Sequence, residues 1–182
     1  METDLDILMN RIEPYLGIFD GILRRGHSTY ESYAPEIILD HDASTQAHCT
    51  YRHILKEAQL ALDELPHVEH LELRGQNLWQ FKELDVVCRL KKTDENGVST
   101  NYPTPQAMAF DDGDELPGLP AAPSRLTIGY LLDETGMGFA RSQVSFPTRR
   151  GALWCAAIVP SNMREAGERA WYEVTKQTRF SI

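Results

Sequence analysis

The chain has 182 residues, and its 27 acidic and 18 basic side chains give a formal net charge of −9 at pH 7. This length corresponds to one ordinary domain, which can bury about 70% of its unfolded surface and needs no disulfide or structural metal for its core. The acidic charge argues against a protein that mainly binds nucleic-acid phosphates, and no apolar run approaches the ~18 residues that a membrane span needs.

The chain begins with a predicted amphipathic helix over residues 4–25. Apolar residues recur there at three- and four-residue steps, which is the spacing of one helix face. Pro14 should kink this helix, and Gly26 should end it. Residues 27–43 are then predicted to be a linker with a short strand at 36–39.

A second helix is predicted over residues 44–64. It carries a continuous apolar face, Ser44 suits the N-cap, and Pro66 prevents the helix from continuing. The two helices together make residues 1–66 a helical N-terminal part.

From residue 67 the apolar period changes to two, which is typical of half-buried strands. The predicted strand segments are residues 67–74, 77–82, 84–92, 98–102, 125–132, 139–146 and 151–159. Asn96 and Gly97 form a strong hairpin signal, so we expect 98–102 to return alongside 84–92. Residues 67–160 should therefore form a sheet.

Two further elements complete the predicted fold. Thr104 and Pro105 suit the N-cap and first position of a short helix near 104–110. Residues 161–182 should form a C-terminal helix or tail, with the helix near 161–174. The predicted architecture is thus α+β, with two N-terminal helices on a mainly antiparallel sheet of about six strands and the short helix inserted.

The N-terminal sequence and the cysteines indicate the compartment. The first six residues, Met-Glu-Thr-Asp-Leu-Asp, are acidic where a signal peptide would be basic. Cys49, Cys88 and Cys155 are too few and too scattered for a disulfide framework. We therefore expect a soluble, cytoplasmic protein that forms a single domain over residues 1–182.

All six histidines precede residue 71, and some of them lie near a cysteine. The candidate metal ligands are His41, Asp42, His48, Cys49 and His53. Cys49 and His53 are four residues apart on a predicted helix and could share a zinc ion, or act as a nucleophile and its base. Surface histidines with an incidental neighbour explain the pattern more simply, so we expect no metal and no cofactor.

A second candidate for chemistry lies on the predicted strand 84–92. Asp85 and Lys91 share strand parity, so they should face the same side, as residues of a metal-dependent nuclease would. The pattern is loose, because no Glu-x-Lys sequence completes the set. A small metal-dependent hydrolase or nuclease is therefore kept as the alternative function.

Basic and aromatic residues supply the candidate binding site. Two basic strips, one on strand 84–92 and one in the turn before residue 151, could bind phosphate or an acidic peptide. Tyrosines on ordered loops suit contacts with proteins. The residues predicted to bind a partner are Tyr30, Tyr33, Arg89, Lys91, Tyr102, Arg149 and Arg150.

The distribution of charge indicates the kind of partner. Residues 1–66 carry 5 basic and 12 acidic side chains, a net charge of −7, and residues 93–124 carry no basic and 6 acidic side chains. No familiar catalytic motif accompanies these acidic stretches. We therefore expect a non-enzymatic protein-interaction module of the antitoxin, immunity-protein or accessory-regulator kind that binds a basic partner protein.

Overall fold

The computed structural model describes residues 1–102, 104–119 and 123–174. The α-helices are α1 (Leu5–Glu31), α2 (Pro35–Asp40), α3 (Ala43–Leu62) and α4 (Pro105–Asp112). The strands are β1 (Val68–Leu73), β2 (Gln76–Phe81), β3 (Val86–Lys92), β4 (Ser124–Leu132), β5 (Phe139–Thr148), β6 (Gly151–Ile158) and β7 (Trp171–Glu173). Helices α1 and α3 pack on a mostly antiparallel sheet, which confirms the predicted α+β fold class.

Helix α1 is longer than the sequence predicted. Asp4 is its N-cap, and the Asp4 carboxylate accepts a hydrogen bond from a backbone N–H of the first turn at 3.0 Å. Pro14 lies inside the helix, and Gly26 does not end it, because α1 continues to Glu31. A Cβ at Gly26 would lie 2.6 Å from the Ile54 Cα atom. The glycine therefore permits the close approach of α3 rather than a helix stop.

The connection over residues 27–43 does not contain the predicted strand at 36–39. Residues 36–39 lie instead in helix α2, which begins with Pro35 at its first position. Proline suits that position, because its fixed φ is helical and its missing N–H has no partner there in any case. No residue of α2 is buried, so this helix contributes nothing to the core.

Helix α3 begins one residue before the predicted N-cap, Ser44. Asp42 is the N-cap instead, because its carboxylate accepts a hydrogen bond from the Thr45 N–H at 2.7 Å. The helix ends at Leu62, two residues earlier than predicted. Its buried side chains pack on α1 and on the sheet.

The strands lie in the sheet in sequence order, and all neighbours are antiparallel except β3 and β4. A parallel pair requires a crossover, and this one carries α4. Trp79 and Cys88 belong to the core beneath α1 and α3, whereas their neighbours Leu78 and Val87 pack with Phe110 of α4. Because successive strand residues face opposite sides, α4 covers the opposite face of the sheet.

The predicted strand at 98–102 is wrong. Ser99 forms only an isolated bridge with Thr93, although the turn itself forms and the Asp94 carboxylate accepts a hydrogen bond from Val98 N–H at 2.9 Å. Strand β3 already pairs with β2 on one edge and with β4 on the other. No edge of β3 is therefore free for a returning strand.

The predicted helix near 161–174 is also wrong. A short 3₁₀ turn, Ser161–Met163, is followed by strand β7, whose Trp171 is 2% exposed and pairs with Ile158. This strand brings the sheet to seven strands rather than about six and extends it beyond residue 160. The rest of the predicted C-terminal helix or tail, residues 175–182, lies outside the described residues. Among the helices of the described ranges, none is long and apolar enough to cross a membrane.

Candidate functional site

Four of the seven residues that the sequence predicted to bind a partner line one hollow of about 460 Å³. We call it the cationic hollow, and these four residues are Arg89, Lys91, Tyr102 and Arg149. Its walls come from β3, residues 97–102 and 104, helix α4 and the β5–β6 turn. The hollow therefore forms where the β3–β4 crossover passes the end of β3.

Arg89 forms the buried side of the cationic hollow. Its side chain is 3% exposed, its Nε–H donates to Thr127 Oγ1 at 3.1 Å, and Nη2–H donates to Asp111 Oδ1 at 2.5 Å. The guanidinium carbon lies 4.5 Å from the centre of the Phe110 ring. The remaining nitrogen, Nη1, is buried and has no hydrogen-bond partner in the described part of the chain. Burial lowers the pKa of Arg89, but an arginine keeps its proton at neutral pH.

Lys91 is a second, less compensated cation in the cationic hollow. It is half-buried, and within the described ranges it forms no ion pair; Nζ lies 5.9 Å from the centre of the Tyr51 ring. Burial lowers the pKa of Lys91, the charge of Arg89 lowers it further, and Asp111 raises it. Lys91 also lines a neighbouring hollow of about 670 Å³, together with Tyr51, Tyr102 and Tyr130. We call that space the tyrosine hollow.

The two turn arginines have different surroundings. Arg149 lines the cationic hollow, and its Nε atom lies 3.8 Å from Oδ2 of Asp112. Arg150 is exposed and is not among the residues that line the hollow. Only one arginine of the predicted second basic strip is therefore brought to β3.

Tyr30 and Tyr33 lie away from the residues of the cationic hollow. The sequence predicted both on an exposed loop, but Tyr30 is 1% exposed at the end of α1, and Tyr33 is half-buried just after it. The Tyr30 hydroxyl is 3.2 Å from Nδ1 of His41, and the Tyr33 hydroxyl is 2.8 Å from Nε2 of His53. These contacts hold the connection after α1 against α3.

The three histidines among the candidate metal ligands contact other groups. His41 and His53 contact the tyrosines, and the exposed His48 has its Nδ1 2.9 Å from the Ser44 carbonyl oxygen. Among the residues that the structure describes, no group of three or more His, Cys, Asp and Glu side chains is placed to hold a metal ion. The metal-dependent alternative stays a prediction from the sequence.

Asp85 and Lys91 do not meet on one side of β3. Asp85 ends the 3₁₀ turn Lys82–Leu84 in the left-handed region, with φ +52°, and precedes the strand. Lys91 is six residues further on, which is roughly 20 Å along an extended strand. Asp85 therefore lies outside the strand, and the shared strand parity predicted for these two residues does not apply.

Helix α2 presents a surface that the sequence prediction missed. Ile37 is 46% exposed and Leu39 is 84% exposed, and Glu36, Asp40 and Asp42 beside them are exposed as well. We call these five residues the α2 ridge. The Ala-Pro step that begins α2 is a helix-start signal, but the Ile-Ile-Leu run that follows favours a strand.

A comparison of the chain with protein-family models, with curated proteins and with solved structures finds no match. The chain's own residues are therefore the basis for assigning its function.

Proposed function

We propose that the protein is a non-enzymatic cytoplasmic interaction module, of the antitoxin, immunity-protein or accessory-regulator kind, that binds a basic partner protein through the α2 ridge. The observation that carries this proposal is the exposure of the ridge, whose Leu39 is 84% exposed and whose Ile37, two residues earlier, is 46% exposed. Apolar side chains ringed by polar ones commonly mark a surface that another protein covers.

The energetics of the α2 ridge favour a partner. Burying one leucine or isoleucine side chain contributes about 1.5–3 kcal/mol. Helix α2 has only six residues, which is too short for stability on its own, so its neighbours hold two apolar residues in an exposed position. A partner that covered Leu39 would remove this side chain from water without any rearrangement of the core.

The charge of the surrounding segment indicates a basic partner. No lysine or arginine occurs between Arg25 and Arg52, whereas four carboxylates do. They are Glu31, Glu36, Asp40 and Asp42, and all four are exposed. Such a one-sided field attracts a basic surface and disfavours an acidic one.

A binding experiment with matched leucine variants tests this proposal. The tagged wild-type protein, its Leu39→Ser variant and its Leu60→Ser variant are used to capture partners from cells that express the protein naturally. Leu60 is a suitable control, because it is 65% exposed but lies on α3, outside the α2 ridge. The captured protein is then purified, and its affinity for each variant is measured.

The proposal predicts a stoichiometric partner with a basic isoelectric point. Leu39→Ser should weaken its binding about 30-fold, as expected for a central contact worth ~2 kcal/mol, and Leu60→Ser should leave it unchanged. The double variant Glu36→Gln, Asp40→Asn should reduce the dependence of the affinity on salt. A partner that binds Leu39→Ser as tightly as wild type, or the absence of any stoichiometric partner, contradicts the proposal.

A further inference from the structure

We propose that the cationic hollow is a binding site for a phosphate group, either free phosphate or the phosphate of a small ester. This proposal does not depend on the α2 ridge, because the two surfaces share no residue. It rests on the charge, the unfilled hydrogen-bonding capacity and the size of the hollow.

The cationic hollow is positively charged in a protein whose net charge is −9. Arg89, Lys91 and Arg149 line it, and Asp111 is the one carboxylate among the lining residues. Asp112 lies beside Arg149, with 3.8 Å between the nearest charged atoms. Three cations therefore face one lining carboxylate, and an anion in the hollow would compensate the excess.

Two of these cations are incompletely compensated by the residues that the structure describes. The Arg89 side chain is 97% buried, since 3% of it is exposed, and its Nη1 has no hydrogen-bond partner among those residues. The Lys91 ammonium forms no ion pair within the described residues, although it is half-buried. Removing such charged donors from water without a partner costs free energy, and the depression of the Lys91 pKa by burial agrees with this. A buried guanidinium with an unfilled donor, beside an ammonium without an ion pair among the described residues, makes a hollow a candidate functional site.

The size and the other lining groups indicate a phosphate-bearing small molecule. A volume of about 460 Å³ falls in the range of small-molecule sites rather than of extended peptide grooves. The Ser99 and Thr148 hydroxyls and the Asn101 amide line the same space and can donate to phosphoryl oxygens. Tyr102 lines both this hollow and the tyrosine hollow, so the organic part of an ester could extend past its ring.

Calorimetric titration with inorganic phosphate, pyrophosphate and phenyl phosphate tests the assignment at constant ionic strength. The variants are Lys91→Gln and Arg149→Gln, and the control is Arg150→Gln. Arg149 and Arg150 are adjacent and exposed, and their variants lose the same charge, but only Arg149 lines the hollow. A general effect of net charge would therefore appear equally in both.

The proposal predicts saturable 1:1 binding of phosphate or pyrophosphate to the wild-type protein. Lys91→Gln should weaken this binding about tenfold and Arg149→Gln severalfold, while Arg150→Gln should change it less than about twofold. Tighter binding of phenyl phosphate than of inorganic phosphate assigns an ester whose body reaches the tyrosine hollow, and equal binding assigns the phosphate group alone.

Two results overturn the proposal. One is the absence of saturable binding of any of the three probes up to about 10 mM. The other is an equal effect of Arg149→Gln and Arg150→Gln, which would mean that bulk charge alone attracts the anion. Circular dichroism and thermal melting verify that each variant folds. If Lys91→Gln does not fold, the comparison of the two exposed arginines still decides the question.

Discussion

Replacing Gly26 with alanine should destabilise the protein, whereas the same replacement at Gly17, on the same helix, should stabilise it. At Gly26 an added Cβ would lie 2.5 Å from Ile54 Cγ1 and 2.6 Å from the Ile54 N and Cα atoms. The first of these atoms can move with its side chain, but the backbone atoms cannot rotate away. Helices α1 and α3 must therefore separate to admit one methyl group.

The magnitudes follow from two opposing effects. Alanine is favoured over glycine in a helix by about 1 kcal/mol at either position. Overpacking into a backbone costs up to ~3 kcal/mol, which leaves a net loss of about 2 kcal/mol for Gly26→Ala. At Gly17 the nearest atom is Ser161 Oγ at 3.4 Å, which can rotate, so the propensity gain of about 0.5–1 kcal/mol dominates.

Urea denaturation of the two variants and of the wild-type protein measures these free energies of unfolding. The reasoning requires opposite signs at the two glycines. A Gly26→Ala variant as stable as Gly17→Ala would show that α1 and α3 do not approach each other at this position, and the packing of the helical layer would have to be revised.

Three further predictions test the core, the cysteines and a helix cap. Trp154→Ala should lower the free energy of unfolding by about 3–5 kcal/mol, because the indole is 6% exposed and its Nε1–H donates to the Thr3 carbonyl at 2.8 Å; a melt near that of wild type contradicts this. A thiol reagent should modify only Cys49 in the native protein and all three cysteines after unfolding, because burial raises the pKa of Cys88 and raises that of Cys155 to about 12. Rapid reaction of all three thiols in the native protein refutes this prediction. Hydrogen bonds from Thr45 lower the pKa of Asp42, so the ionised cap stabilises α3 above the usual aspartate pKa and loses this effect as the pH falls through the lowered value. The difference in melting temperature between wild type and Asp42→Ala should therefore shrink below about pH 4. A difference that does not change with pH contradicts this.

Helices α1 and α3 and most strands were predictable because their apolar periods are long enough to distinguish. The errors lie where the local sequence pattern favours one secondary structure and the neighbouring residues or the sheet favour another. Residues 36–39 have a strand-like composition, yet Pro35 starts a helix there. Trp171–Glu173 is a strand too short for any period to appear, and the spacing of Ala166, Ala170 and Trp171 suggested a helix.

The candidate sites show the same limit. Arg89 and Lys91 could be placed on one side of a strand from their parity alone. The approach of Tyr102 and Arg149 to Arg89 and Lys91 depends on the crossover between β3 and β4, which no local sequence pattern specifies. Thr127 and Asp111, which are the hydrogen-bond partners of Arg89, were missed for this reason, since both are distant from Arg89 in sequence. The exposure of Leu39 was also missed, because apolar residues are expected to be buried.

Hydrogen exchange of the α2 amides, with and without the purified partner, shows whether the partner covers helix α2. A six-residue helix without buried side chains should exchange rapidly in the free protein, which leaves a wide range for protection to appear. Binding through the α2 ridge predicts strongly slowed exchange over residues 36–42 in the complex and little change over residues 97–102 beside the cationic hollow. Unchanged exchange in α2, with protection confined to another surface, would contradict it.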